Sequence, residues 1–245
     1  MLESLPSVSL RIAAMVDRVP LLEEAMYCFL KQDYAGKKEL VVFNDHPNIK
    51  FFYNHPEIRV INSDKCYMST YRNLHELKWK ILAATALCEN DIVMPLGDDD
   101  MLAPWAMSTA VRCLSDSLYV DIIPCIKIEK LCYGVVHAVC AYRKTLWERN
   151  KEYCSDNNWY GVDETWLRCS VKGVDRKQGK GPPYKKVTIK DDEAYYWWRP
   201  SGKNYWGKTE GRVPQPKKYR EIELQPSLRL PPKQGAWIYK KWGYL

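Results

Sequence analysis

Three consecutive carboxylates are the clearest candidates for chemistry in this sequence. The stretch "MPLGDDDMLAP" places Asp98, Asp99 and Asp100 directly behind a short apolar run. Like charges held close together repel, so a site that keeps them ionised usually holds a cation. Carboxylate oxygens suit hard ions such as Mg²⁺ or Mn²⁺, which also take substrate phosphates and water as ligands. The alternative is a solvated loop that caps a helix beginning near Pro104, because acids favour helix N-termini.

The elements before these acids alternate between strand and helix patterns. Continuous apolar runs predict strands at "VSLRIAAMV", "KELVVFND", "IRVIN" and "NDIVMPL", and helical spacing predicts helices over residues 21–30 and 68–88. Such alternation is typical of βαβ units and a mostly parallel sheet, whose ligands bind beyond the carboxyl ends of the strands. Asp17, Asp45 and the three acids each follow a predicted strand, so we expect them at the same edge of the sheet.

Length and composition predict one globular domain with an appendage. The chain has 245 residues, 46% of them hydrophobic, which is enough for one substantial core. No run approaches the roughly 18 to 20 apolar residues of a spanning helix, and the N-terminus lacks a secretory signal pattern. Nine cysteines at irregular spacing favour reduced thiols. We therefore expect a cytoplasmic protein without a transmembrane segment.

The net charge of +7 is unevenly distributed along the chain. Residues 176–245 contain 17 of the 37 Lys and Arg residues but only 6 of the 30 Asp and Glu residues. Tyr and Trp are interleaved with these basic residues in Pro-rich sequence. The pattern predicts a core over residues 1–175 and a basic, aromatic segment over residues 176–245 that packs on the core and contributes to acceptor or donor binding.

Four ordered blocks resemble the nucleotide-binding half of family-2 glycosyltransferases of the GT-A fold. They are "VSLRIAAMVDRVPLLEEAMYCFLKQDY", "KELVVFNDHP", "STYRNLHE" and "DIVMPLGDDDMLAP", and the resemblance covers roughly residues 8–172. It implies an α/β, Rossmann-like GT-A fold with a mostly parallel central sheet flanked by helices. It also implies an inverting, metal-dependent transferase that takes its sugar from a nucleotide-diphosphate sugar, most commonly a UDP-sugar, with Mn²⁺ or Mg²⁺ as cofactor.

The resemblance assigns donor-binding roles to individual residues. Asp45 matches the acid that holds the nucleotide base, and Arg72 with Asn73 matches a block near the donor. Asp17 stands where members usually carry Asn. The acids at 98–100 match the DXD region, which holds the metal against the diphosphate, although Gly97 occupies the place where many members have the first Asp. The metal candidates are therefore Asp99, which we favour, and its neighbours Asp98 and Asp100, with Asp98 also a candidate donor contact.

Two later stretches resemble further blocks of the same family. In "NNWYGVDETWLRCSVKG", Asp163 takes the position of the catalytic base that accepts the proton of the acceptor hydroxyl, and Glu164 is a possible substitute. Taken alone, Asp163 would suit a helix cap better than a catalytic base. The stretch "YYWWRPSG" resembles a C-terminal block that closes over the diphosphate, which makes Arg199 a candidate phosphate contact or, alternatively, a surface arginine.

The basic, aromatic segment leaves the acceptor open. Basic residues suit a phosphate backbone and aromatic faces suit unstacked bases, so a hydroxymethylated DNA base is one candidate. The same residues suit an anionic membrane surface, where lipid-linked glycans reside, and glycan, protein or small-molecule acceptors also remain. A non-enzymatic alternative is an inactive GT-A-like module that binds nucleic acid or a membrane surface through this segment.

Overall fold

The computed structural model describes residues 5–67, 74–127, 130–133, 139–151, 184–199, 218–229 and 236–244. Its α-helices are α1 (Val19–Leu30), α2 (Leu74–Ala86), α3 (Ala106–Leu114), α4 (Lys144–Asn150) and α5 (Ala236–Lys241). Its strands are β1 (Val8–Ala13), β2 (Lys38–Asn44), β3 (Ile49–Phe52), β4 (Ile58–Asn62), β5 (Ile92–Pro95), β6 (Met101–Leu102), β7 (Tyr119–Ile123), β8 (Cys125–Lys127), β9 (Lys130–Cys132), β10 (Cys140–Arg143), β11 (Tyr184–Thr188), β12 (Tyr196–Trp198) and β13 (Arg220–Glu223).

A seven-stranded sheet with the order β11-β7-β10-β5-β1-β2-β4 forms the centre of the molecule. Strand β10 runs antiparallel to its neighbours β5 and β7, whereas the other neighbouring pairs are parallel. The prediction of a mostly parallel central sheet flanked by helices is confirmed.

The central strands form where the sequence has continuous apolar runs, because their side chains are buried on both faces of the sheet. In β1 the first five of its six residues are buried, and all four residues of β5 are buried. Val8 of β1 lies between Lys38 of β2 and Ile92 of β5, so the three strands are in register. Their carboxyl ends therefore reach the same edge of the sheet.

The predicted strands and helices of the first hundred residues are largely confirmed. Helix α1 begins with a proline in its first turn, as the fixed φ of proline allows. Residues 68–73 of the second predicted helix lie outside the described residues, and its described part is α2. Strand β3 was not predicted; it pairs in parallel with β13, which is far away in sequence.

A four-stranded sheet with the order β6-β12-β8-β9 lies next to the acids. Strand β6 follows Asp100 directly and pairs antiparallel with β12 through Leu102 and Tyr196. Strand β12 in turn pairs in parallel with β8. This pairing brings the "YYWWR" stretch of the C-terminal segment beside the three acids.

The C-terminal segment also contacts two buried glutamates of α1. The Glu23 carboxylate accepts hydrogen bonds from the backbone N–H of Gln225 at 2.9 Å and from the Arg229 guanidinium at 2.6 Å. The Glu24 carboxylate accepts a bond from the backbone N–H of Arg229 at 3.0 Å and forms an ion pair with Arg199. Residues far apart in sequence are thereby joined at the first turns of α1.

The proposed division at residue 175 stays a prediction. Residues 152–183 lie outside the described residues, and strands β11 and β12 on the C-terminal side join sheets built from the N-terminal side. Among the residues that the structure describes, no helix is both long and apolar enough to cross a lipid bilayer.

Replacing Glu24 with Gln should destabilise the protein much more than the same change at an exposed ion pair. The Arg199–Glu24 pair is buried, with side chains 7% and 4% exposed. Removing one partner leaves a buried charge uncompensated, so we expect a loss of about 3 kcal/mol in the free energy of unfolding. Urea denaturation measures this loss.

The matched control is Glu193→Gln. Glu193 forms an ion pair with Arg112 in which the side chains are 29% and 60% exposed. Exposed pairs contribute at most about 1 kcal/mol, so this variant should remain close to the parent. Equal losses for the two variants would contradict the structural role assigned to Glu24.

Candidate active site

The acid loop, residues 98–100, lies at the carboxyl end of β5, where it contacts the residues that follow β1. Asp98 is buried, and its Oδ2 accepts a hydrogen bond from the backbone N–H of Met15 at 2.7 Å. Its Oδ1 accepts a bond from Nη1 of Arg18 at 2.9 Å. Asp98 therefore fixes the end of β5 to the end of β1. Burial raises the pKa of Asp98 to about 6, although the nearby charge of Arg18 opposes the shift.

Arg18 joins two of the acids. It ends a short 3-10 helix, Val16–Arg18, that connects β1 to α1. The same Nη1 atom that contacts Asp98 lies 3.1 Å from Oδ2 of Asp99. Burial alone would lower the pKa of Arg18, but the charges of Asp98 and Asp99 outweigh burial and raise it. Arg18 therefore stays cationic between the two carboxylates.

Asp100 faces strand β12. Its Oδ2 accepts a hydrogen bond from the Tyr196 hydroxyl at 2.7 Å, and its Oδ1 accepts one from the backbone N–H of Arg199 at 3.1 Å. Burial, followed by the charge of Asp99, raises the pKa of Asp100 to about 8. Ionising this carboxyl group in the folded protein therefore costs free energy, and a cation nearby would reduce that cost.

Gly97 leaves the space that Asp100 needs. A Cβ atom at position 97 would lie 2.4 Å from Oδ2 and 3.1 Å from Cγ of Asp100. A side chain at position 97 therefore conflicts with the observed position of the Asp100 carboxylate. This contact gives a physical reason for glycine at a position where many members of the resembled family carry aspartate.

Arg199 holds the acid loop against α1. Its Nε donates a hydrogen bond of 2.7 Å to the backbone carbonyl of Asp99, and Nη1 contacts Glu24. The guanidinium lies over the Trp197 ring, 5.8 Å from its centroid, at a distance suitable for a cation–π contact. Arg199 is buried and so is not a surface arginine. Its contact with a diphosphate stays a prediction.

Asp45 lies at the carboxyl end of β2 and is held by a buried lysine. Its Oδ1 is 2.6 Å from Nζ of Lys80, and its Oδ2 accepts a hydrogen bond of 2.8 Å from the backbone N–H of Tyr67. Lys80 also donates to the carbonyl of Ala14, the residue after β1. Lys80 thus connects the ends of β1 and β2. It also fixes the carboxylate of Asp45, the residue to which the family resemblance gives a role in binding the nucleotide base.

The structure brings most of the described site candidates to one edge of the sheet. Asp17 lies in the short 3-10 helix beside Arg18, and its charge contributes to the raised pKa of Arg18. Four predicted residues lie outside the described residues, so their positions stay predictions: Arg72, Asn73, Asp163 and Glu164.

Four contact residues were missed in the sequence: Arg18, Glu24, Lys80 and Tyr196. One of them had a recognisable signal. Lys80 lies three positions after Leu77 and four before Ala84, on the apolar face of α2, where a lysine needs a buried partner. The partners of Arg18, Glu24 and Tyr196 are far away in sequence, and a single sequence does not identify such partners.

The acid loop presents carboxylate oxygens, which are ligands that hard divalent cations prefer. Asp98 and Asp100 each accept hydrogen bonds at both carboxylate oxygens, and Asp99 forms an ion pair with Arg18 through Oδ2. Hard cations are commonly held by one or two carboxylates, with phosphates and water completing the shell. Within the described part of the chain, no group of three His, Cys, Asp or Glu side chains is arranged to hold a metal. An ion held by these acids would therefore need further ligands, such as phosphate oxygens or water.

Comparison with known proteins shows the fold as that of GT-A glycosyltransferases. S. aureus TarS 1-349 in complex with UDP matches with a TM-score of 0.54 at 12% identity, over 79% of this chain and 60% of TarS 1-349. The same protein in complex with UDP-GlcNAc matches with a TM-score of 0.53 at 12% identity, over 92% of this chain and 62% of the other. The mannosyltransferase PcManGT from Pyrobaculum calidifontis, in complex with GDP-Man and Mn²⁺, gives a TM-score of 0.50 at 14% identity, over 77% and 58% of the two chains.

These likenesses concern the fold. The chain spans about 60% of the length of TarS 1-349. No protein-family model matches the sequence, and no curated protein matches it. The GT-A fold predicted from the sequence is confirmed by these structural neighbours.

Gly97→Ala should displace the Asp100 carboxylate and destabilise the protein. The carboxylate is buried and bound by Tyr196, so it cannot move away without losing a hydrogen bond. Overpacking of this kind costs about 2 kcal/mol in the free energy of unfolding. Urea denaturation of Gly97→Ala, Asp100→Ala and the double variant provides the test.

The double variant identifies the cause. If the clash is with Asp100, Gly97→Ala should cost much less when residue 100 is already alanine, so the two changes should be non-additive. Additive losses in the free energy of unfolding would show that a contact other than the one with Asp100 disfavours a side chain at position 97.

Proposed function

We propose that this chain is a metal-dependent glycosyltransferase that moves a sugar from a nucleotide-diphosphate sugar to an acceptor hydroxyl. The observation that carries the proposal is the joining of the acid loop, through Arg18, to the end of β1 in a GT-A fold. Asp45 lies at the end of the adjacent strand β2. Asp45 and the acid loop therefore lie at one edge of the sheet, where α/β folds bind ligands, and this supports roles for them in nucleotide and metal binding.

The donor would be held by residues that follow β1, β2 and β12, together with residues 72 and 73. Asp45 would accept hydrogen bonds from the nucleotide base, with Lys80 keeping its carboxylate in position. Arg72, Asn73 and Asp17 are proposed as further donor contacts, and Arg199 as a diphosphate contact. UDP is the preferred nucleotide in this proposal because the resembled family most commonly uses it, and TarS was solved with UDP.

The proposed metal residue is Asp99, with Asp98 and Asp100 as its alternatives. A divalent ion bound there, Mn²⁺ or Mg²⁺, would supply Lewis-acid stabilisation of the leaving diphosphate. Mn²⁺ is present in the complex of the mannosyltransferase neighbour. The hydrogen bonds of Asp98 and Asp100 hold in position the loop that carries Asp99.

The proposed transfer is a single displacement with inversion. The acceptor hydroxyl attacks the anomeric carbon, the bond to the diphosphate breaks, and a carboxylate accepts the hydroxyl proton. We assign that base role to Asp163, with Glu164 as its substitute. No covalent intermediate with the protein is required.

Asp99→Asn and Asp163→Asn should separate the two halves of this mechanism. Asp99→Asn should abolish metal-dependent use of the donor, because a neutral amide is a poor ligand for a hard cation. Asp163→Asn should keep donor binding but lower turnover by about 10²-fold to 10⁴-fold, since general-base catalysis contributes that much. Calorimetry with UDP and Mn²⁺ measures binding, and release of the nucleotide diphosphate measures turnover.

Asp116→Asn is the matched control for both variants. Asp116 is exposed, with a side-chain exposure of 90%, and forms a surface ion pair with Lys185 at 3.5 Å. This variant should bind and turn over like the parent. Transfer by Asp99→Asn and Asp163→Asn at the parental rate would overturn the site assignment.

The acceptor is best sought with a donor panel run in the presence of Mn²⁺. The proposal keeps two acceptor classes, glycans or lipid-linked glycans and a hydroxymethylated DNA base. Nucleotide release stimulated by duplex DNA containing 5-hydroxymethylcytosine, but not by plain duplex, would indicate the nucleic-acid acceptor. Metal-dependent nucleotide release that neither duplex stimulates would indicate the glycan class of acceptor.

The same panel tests the non-enzymatic alternative. No release with any donor, together with binding to DNA or anionic vesicles that is insensitive to Asp99→Asn, would contradict the transferase proposal. That result would favour a binding module acting through the basic, aromatic segment.

A further inference from the structure

The position of Arg18 bears on how the acid loop receives a cation. Its Nη1 atom lies 2.9 Å from Oδ1 of Asp98 and 3.1 Å from Oδ2 of Asp99. The three side chains are nearly inaccessible to solvent, with exposures of 8%, 4% and 10%. One buried guanidinium nitrogen is therefore shared between the residue proposed to bind the metal and its neighbour.

The positive charge of Arg18 opposes the binding of a metal ion at Asp99. Charges at such short separations interact strongly where water is excluded, so Arg18 repels a divalent ion that approaches Asp99. The guanidinium also uses the Asp99 oxygen as an ion-pair partner. A metal must therefore overcome both the repulsion and the existing ion pair.

We propose that Arg18 acts as a built-in counter-ion of the acid loop, which keeps free divalent metal out and admits it together with a nucleotide diphosphate. The inference rests on the proposed transferase function and adds an order of binding to it. The diphosphate brings negative charge that offsets Arg18 and oxygen ligands that complete the metal shell. Asp99 then exchanges Arg18 for the ion, while Asp98 retains Arg18.

The arrangement of Asp98 makes this exchange feasible. Asp98 holds Arg18 through Oδ1 and holds the end of β1 through the backbone N–H of Met15. When Asp99 releases the guanidinium, Arg18 keeps a buried carboxylate partner. The exchange therefore leaves no buried charge without compensation, which would otherwise be strongly unfavourable.

Mn²⁺ binding to the full chain, measured by electron paramagnetic resonance of the free ion, tests the inference without an activity assay. The experiment compares the parent with Arg18→Gln and Arg18→Lys, in the absence of nucleotide and with UDP or GDP present. Removing a unit charge at this distance should raise nucleotide-free Mn²⁺ affinity about tenfold or more in Arg18→Gln. Arg18→Lys keeps the charge and should remain within about threefold of the parent, because the repulsion persists.

Arg59→Gln is the matched control. Arg59 also bridges two carboxylates, at 3.1 Å from Glu39 and 2.8 Å from Glu89, but Glu89 precedes β5, whereas the acid loop follows it. The Arg59→Gln variant should bind Mn²⁺ with the same affinity as the parent. A folded Arg18→Gln variant with unchanged or weaker nucleotide-free affinity would overturn the inference, as would an equal increase in Arg18→Lys.

A second measurement needs no variant and so does not depend on Arg18→Gln folding. In a crystal structure with Mn²⁺ and UDP, Asp99 should contact the ion and lie beyond about 4 Å from Arg18, which is outside ion-pair distance. An ion bound to Asp99 beside an intact Arg18–Asp99 pair would overturn this inference but not the proposed transferase function. Absence of Mn²⁺ binding with UDP and with GDP would overturn the metal-dependent function, and the inference with it.

Discussion

Compensation of buried negative charge is the constraint on which this structure depends. Three adjacent carboxylates lie at the end of β5 with exposures of only 4 to 7%. Buried charges persist only when they are paired and hydrogen-bonded. Arg18 supplies positive charge from the loop after β1, and Arg199, at the end of β12, donates hydrogen bonds to the Asp100 carboxylate and the Asp99 carbonyl. The position of the loop is thus determined by residues outside it.

That requirement extends to the rest of the molecule. Arg199 needs its own partner, which is Glu24 of α1, and Glu24 in turn binds the backbone of the C-terminal segment at Arg229. On the other side, Lys80 of α2 joins Asp45 to the residue that follows β1. Helices α1 and α2 therefore do more than cover the apolar faces of the sheet, because each contributes a charged side chain to the candidate site.

The sequence was informative where local pattern determines structure. Strands β1, β2 and β5 were predictable because strands buried on both faces require continuous apolar runs, and the acids were placed correctly after β5 for the same reason. Strand β3 was missed because it is four residues long and depends on β13, a partner from the other end of the chain. The ion pairs of Arg18 and Arg199 were missed because they join positions about 80 and 175 residues apart, and residue type alone does not reveal such partners.

The link between Arg199 and the acid loop has a consequence for protein synthesis. A ribosome makes the carboxylates of the loop about 100 residues before the arginine that contacts Asp99. Until then, the nascent chain contains the three acids without Arg199. Contacts between residues so far apart in sequence form slowly. The N-terminal strands can associate early, as domains do during translation. The acid loop therefore gains its complete set of contacts only after residue 199 has been made.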